Sequence, residues 1–243
     1  MITNAVLPII RPSAVRACSL PWLRIGIHVI GMFPLGELTY KYFIHQLTVN
    51  PIQFVEQFFG RAALNMLVLT LAVTPFITIT GWKKLSKHRR TLGLYTFLLF
   101  ALHFTTFVAL DYGFDFRQIL LLTVQKPYIL LGTLAGLMLL SLAATSFKYW
   151  MKRLGKNWSR LHKLVYAIGG VAVLHYAMAV KGSLNTLSGN IVRPLMMGLL
   201  VIILLVLRIT PIKLAIIALR KRIIDYFKSN KNPSAIKDID SKI

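Results

Sequence analysis

Long apolar runs alternate along this chain with short, strongly basic gaps. A helix needs about 20 apolar residues to cross about 30 Å of hydrocarbon. Five runs meet that length: Gly60–Thr80, Thr91–Leu110, Pro127–Phe147, Leu161–Val180 and Ile191–Leu207. A sixth, Trp22–Phe43, is weaker because it holds Pro34 and Glu37. Both are tolerated against neighbouring helices or near an interface. It lacks a signal-peptide layout, since no small-residue cleavage site follows a compact apolar core. The pattern predicts an all-α membrane protein, a six-transmembrane-helix bundle over residues 22–210. An N-terminal segment, 1–21, precedes it and a basic tail, 211–243, follows. Within the tail, Ile212–Phe227 alternates apolar residues with Arg220, Lys221 and Arg222. That reads as an interfacial helix on anionic headgroups, or as a plain extension of the last span. The residues from Ser229 to Ile243 are polar and are expected to be disordered. No internal repeat is evident in the sequence.

Charge fixes the orientation. Of 29 Lys and Arg, 23 fall in the N-terminal segment through Arg24, the Gly81–Arg90 loop, the Lys148–Lys163 connection and the tail from Arg208. Six spans put all four on one side. The opposite connections share Lys41, Arg61, Arg117, Lys126, Lys181 and Arg193, with Glu56, Asp111 and Asp115 among them. The positive-inside rule then places both termini in the cytoplasm. A net charge of +22 also invites a nucleic-acid reading. With 56% hydrophobic residues and a mean hydropathy of +0.65, the charge serves topology and no nucleic acid is expected. The one cysteine, Cys18, excludes an internal disulfide, a cysteine-ligated cluster and covalent haem attachment.

Ionisable residues inside a membrane are costly and therefore functional candidates. Of six histidines, His45 falls in an external loop and His28 in the weak first span, where structural roles suffice. His103 lies 12 residues past Thr91, about 18 Å into the third span, and His175 lies 14 past Leu161, about 21 Å into the fifth. Two neutral imidazoles at matching depth in the outer half can clamp one haem iron from both faces. The bland alternative is two buried histidines bonded to backbone carbonyls.

His162 opens the fifth span, 13 residues before His175, with room for a second haem below the first. The partner position on the third span is Arg89, with His88 and Arg90 beside it. A step of 14 residues returns to within about 40° of one helix face, whereas 13 misses by about 140°. Arg89 and His103 therefore face alike, while His162 and His175 do so only across a local distortion. Gly169-Gly170 is the expected place for it. His162 with His88 can bind a second haem. His162 with Arg89 can instead hold haem propionates, a flavin phosphate or a quinone carbonyl. Trp158, one turn before His162, can stack on a ring there or anchor the interface.

The stretches Thr80-Gly81-Trp82, Arg89-Arg90-Thr91-Leu92-Gly93-Leu94 followed by Leu102-His103, Lys126-Pro127-Tyr128-Ile129-Leu130-Leu131-Gly132, and the run from Arg153 to Tyr166 that includes Trp158 and His162 resemble the MsrQ (YedZ) family. The resemblance covers roughly Gly60 to Arg208. It implies a ferric-reductase-like membrane protein of the bacterial inner membrane that carries haem b, one or two per chain. Such a protein passes electrons from the quinone pool to a periplasmic molybdopterin-containing methionine sulfoxide reductase, which repairs oxidised proteins. The family is also associated with FMN. By residue match, His103, His162 and His175 would be the haem ligands. Arg89 stands where the wider group commonly has a fourth histidine, a departure from a fully bis-histidine second site.

The tail carries no G-x-G-x-x-G. Electrons are therefore expected from a quinol or a separate flavoprotein, and the chain from this reading is a relay without substrate chemistry of its own. A different class, a small transporter or channel using intramembrane His and Arg, is the alternative. Against it, the acidic residues avoid the span centres and no two halves look alike.

Overall fold

The computed structural model describes residues 21–180, 182–183, 188–189 and 191–231. Cys18, the rest of the N-terminal segment and the end of the tail lie outside the described residues. The protein is an all-α, multi-span membrane bundle. The order is α1 (Pro21–Phe43), α2 (Pro51–Thr80), α3 (Arg89–Thr105), α4 (Phe116–Gln125), α5 (Pro127–Ala144), α6 (Lys148–Leu154), α7 (Lys156–Leu161), α8 (Leu164–Ala179), α9 (Val192–Val206) and α10 (Thr210–Lys231). A 3-10 helix, Lys83–His88, leads into α3, and a π-helical turn, Thr106–Asp111, continues it. A two-stranded antiparallel ladder pairs Gly182 with Gly189 and Ser183 with Ser188.

Four stretches are long and apolar enough to cross a bilayer: Pro51–Thr80, Lys83–Asp111, Pro127–Ala144 and Lys156–Ala179. A fifth candidate is the bent pair α9 and α10, which meet at 76°. α1 has the length, but Arg24, Glu37 and Lys41 break its apolar character. Lys41 and Glu37 offset each other one turn apart, at 2.6 Å.

α2 is the central element and the longest, at 30 residues. It begins nine residues before the apolar run does, because Asn50 caps it and Pro51 sits at the first helical position. Glu56, expected in a connection, is therefore helical. One side of α2 supplies Leu64, Leu67 and Leu71 to a core with Leu139 and Leu142 of α5, Ile168 of α8, and Val201 and Leu204 of α9. Another supplies Phe58, Phe59, Ala63, Met66 and Val73 to a second core with Ile27 of α1 and Leu92 and Leu99 of α3. The outward residues, such as Leu134 and Leu137 of α5 and Leu199 and Ile202 of α9, are large, apolar and exposed. Only lipid covers so much apolar surface comfortably.

Two expectations need correction. The connection Tyr112–Gln125, which the apolar runs leave as a loop, is not all loop, because Asp115 caps α4 by accepting from the Gln118 N–H at 2.9 Å. The fifth span is distorted, but not at Gly169-Gly170, since α8 runs straight through both. Gly169 is small because Leu71 and Val201 press on it: an added Cβ would sit 3.1 Å from Leu71. The break falls at His162, where α7 ends. There the ladder tightens, with Lys163 N–H bonding Arg160 and Tyr166 N–H bonding Lys163, three residues back rather than four. Each 3-10 step turns the chain about 20° further than an α step, so the tightening closes part of the angular gap left by a 13-residue step.

Candidate functional site

α3 and α8 bring His103 and His175 together. Their ring centroids are 6.3 Å apart, and the rings are turned 72° to each other. Each imidazole is held from a neighbouring helix in the same way. The Nδ1–H of His103 donates to the Glu56 carbonyl of α2 at 2.8 Å. The Nδ1–H of His175 donates to the Tyr128 carbonyl of α5 at 2.7 Å. Both pairs are separated by 47 residues along the chain.

A carbonyl oxygen only accepts, so each Nδ1 carries the proton and each Nε2 keeps a free lone pair. One turn after each carbonyl stands a glycine, Gly60 or Gly132. A Cβ on Gly60 would lie 3.1 Å from the His103 Nδ1, and one on Gly132 would lie 2.8 Å from the His175 ring. The glycines leave the room that each ring fills against its helix. A similarity between two halves that sequence comparison does not reveal is thus visible in this paired unit of carbonyl, glycine and imidazole.

The spacing tests what the pair can hold. Two metal–nitrogen bonds of about 2 Å, with about 1.1 Å from each nitrogen to its ring centre, sum to about 6.2 Å, so one iron would fit between the two rings. Among the described residues no three His, Cys, Asp or Glu side chains cluster as a site for a bare ion. An iron that brings its own macrocycle needs only the two. The π-helical turn immediately after His103 is of a kind common at functional sites.

On the opposite side, Trp158 and His162 stack with ring centroids 4.0 Å apart and 31° between planes. The Trp158 indole N–H donates to the Thr145 carbonyl at 3.0 Å. The His162 Nδ1–H donates to the Trp158 carbonyl at 3.0 Å, leaving Nε2 3.5 Å from the Ser146 hydroxyl. His88 is half-buried at the start of α3 and makes no capping bond. Arg89 is exposed and donates to the Ser86 hydroxyl at 2.9 Å. Among the described residues no hydrogen bond joins either of them to His162. His28 is tied to the Tyr95 hydroxyl at 2.7 Å, a structural link from α1 to α3.

Comparison with known proteins bears on this arrangement. The family model described as "Ferric reductase like transmembrane component" matches residues 59–186, more than half of the chain. That segment contains His88, Arg89, His103, Trp158, His162 and His175. A protein of Herminiimonas arsenicoxydans named "Protein-methionine-sulfoxide reductase heme-binding subunit MsrQ" is 36% identical over 184 residues, 75% of this chain and 82% of its own length. A protein of the same name from Xanthomonas campestris pv. campestris (strain B100) is 36% identical over 178 residues, 71% of this chain and 82% of its own. The chain belongs to the MsrQ family. Within it, the ferric-reductase-like segment ends before α9, so Arg208 lies beyond the matched residues.

Sequence reasoning passed over Arg208 as one basic residue among many. The structure gives it particular surroundings. Its guanidinium donates to the Leu71 carbonyl of α2 and lies over the Tyr166 ring, 4.8 Å from the centroid. The signal was legible in Pro75. Proline has no N–H, so in an apolar helix it orphans the carbonyl four residues earlier, and that carbonyl is Leu71.

Proposed function

We propose that this chain is the haem b-carrying membrane subunit that passes electrons from the quinone pool to a periplasmic molybdopterin-containing methionine sulfoxide reductase. In this reading His103 and His175 would hold one haem through their Nε2 atoms. The observation that carries this reading is the pair of rings 6.3 Å apart, each with its Nδ1–H committed to a backbone carbonyl. The family membership supports it, because relatives of this chain are named as heme-binding subunits of that system.

Haem iron supplies one-electron chemistry when bound. The protein's part is to hold the rings and exclude water. α2 and α5 aim the imidazoles, and their carbonyls raise ligand basicity. Leu64, Leu67 and Leu139 keep the surroundings apolar. Six spans with both termini in the cytoplasm put the His103–His175 pair nearer the periplasm, where the partner takes each electron. The chain sits in the bacterial inner membrane and leaves the substrate chemistry to that partner. His162 and Trp158 belong to a cytoplasmic-side cofactor site with Arg89. A second haem, FMN or quinol is its occupant, with His88 or Arg89 as the counterpart of His162.

A dithionite-reduced minus oxidised spectrum of the detergent-purified protein, with haem counted per chain, tests the reading. A low-spin b-type spectrum is expected. Near one haem per chain, the lower site is left for flavin or quinol; near two, His162 has found a second ligand. A colourless protein that cannot be reconstituted with haem overturns the carrier reading and favours a transporter.

A further inference from the structure

Among the described residues, two buried side-chain polar atoms lack a hydrogen-bond partner: the Arg208 Nε and the Thr74 Oγ1. Both belong to the same stretch of α2, one through the carbonyl it bonds and the other through its own position. Arg208 donates to the Leu71 carbonyl, and Thr74 is three residues further on, on the same face. Leu71 engages one of the five N–H donors that a guanidinium carries. Arg89, the other arginine of the proposed lower site, is exposed and bonded to the Ser86 hydroxyl. Among the described residues the ion pair is Lys41–Glu37, on α1, so neither arginine has a carboxylate beside it. A half-buried guanidinium with an orphan N–H, near an orphan hydroxyl on α2, lacks an anion. The Tyr166 ring walls one side, 4.8 Å from Arg208, four residues after His162.

We infer that Arg208, with the Thr74 hydroxyl, forms a cradle for one anionic oxygen group of the cofactor held at the cytoplasmic side. The inference rests on the lower-site reading above and extends it to a residue on α9's end. The group is the phosphate of a flavin mononucleotide or a propionate of a second haem. Both present the paired oxygens that a guanidinium fork fits.

The competing explanation is that Arg208 only satisfies the carbonyl that Pro75 orphans. Pro75→Ala returns an N–H to that carbonyl and so separates the two roles. The experiment purifies the full chain, Pro75→Ala, Arg208→Gln and the double variant. It measures haem per chain and titrates FMN against riboflavin, which lacks the phosphate, by flavin fluorescence. If the anion is a phosphate, the double variant loses tenfold or more of the preference for FMN over riboflavin that Pro75→Ala shows. If it is a propionate, haem falls from two per chain towards one while the spectrum of the outer haem stays. A double variant that matches Pro75→Ala in both measurements overturns the inference. So does a wild-type protein that holds one haem and does not distinguish FMN from riboflavin. In those cases retention of the outer haem shows that the carrier reading stands by itself, whereas a colourless wild type removes both.

Discussion

A histidine in a membrane has two nitrogens to account for, and the carbonyls of Glu56 and Tyr128 account for one on each ring. The proposed roles make sharp predictions. His103→Ala and His175→Ala should each abolish the low-spin spectrum of the outer haem, read as haem content and band position. Gly132→Ala should disturb the site more than Gly60→Ala, because the added methyl meets the ring at 2.8 Å rather than 3.1 Å. Overpacking of this kind costs about 1–3 kcal/mol. Faster haem loss on heating, steepest for Gly132→Ala, is the expected result; equal behaviour of the two variants would contradict the geometry.

α2 joins both cores, so its integrity governs the bundle. Leu71→Ala leaves a hole between α2, α8 and α9 and should cost about 2–5 kcal/mol. Asn50→Ala removes only the cap on the Gln53 N–H and should cost about 1 kcal/mol. Thermal unfolding in detergent should rank the two in that order. The apolar middles of these helices were legible in the sequence, because lipid demands long uncharged runs. Their polar ends were not. Asn50-Pro51 and Asp115 start helices through caps, which hydropathy does not register. The matching depth of His103 and His175 was likewise readable from counting along two spans. The break at His162 was not, because it comes from a switch to tighter backbone bonds rather than from a glycine. Arg208 was reachable only through Pro75, because its surroundings arise from an orphaned carbonyl 137 residues away in the chain.

At the scale of the whole molecule, the basic loops and the 76° turn into α10 set a sidedness. Arg220 reaches back from α10 to the Thr78 carbonyl at 3.0 Å, which ties the tail beneath α2 and argues against a plain extension of the last span. In a Cys18→Ser background, Lys152→Cys should react with a membrane-impermeant maleimide only from the cytoplasmic face, and Gln118→Cys only from the other. Reversed labelling would invert the proposed direction of electron flow. The matched cradles of His103 and His175 have a last consequence. If the pair holds haem as proposed, rings pinned by backbone from two further helices would have little freedom to shift when the iron changes oxidation state. The nuclear rearrangement that accompanies each electron is then small, and the exchange is quick even at modest driving force. The same carbonyls enrich the rings in electron density, which would favour the oxidised form of a bound haem and so ease release of its electron. A relay needs to receive and release without remodelling itself, and here the rigidity of four helices provides that.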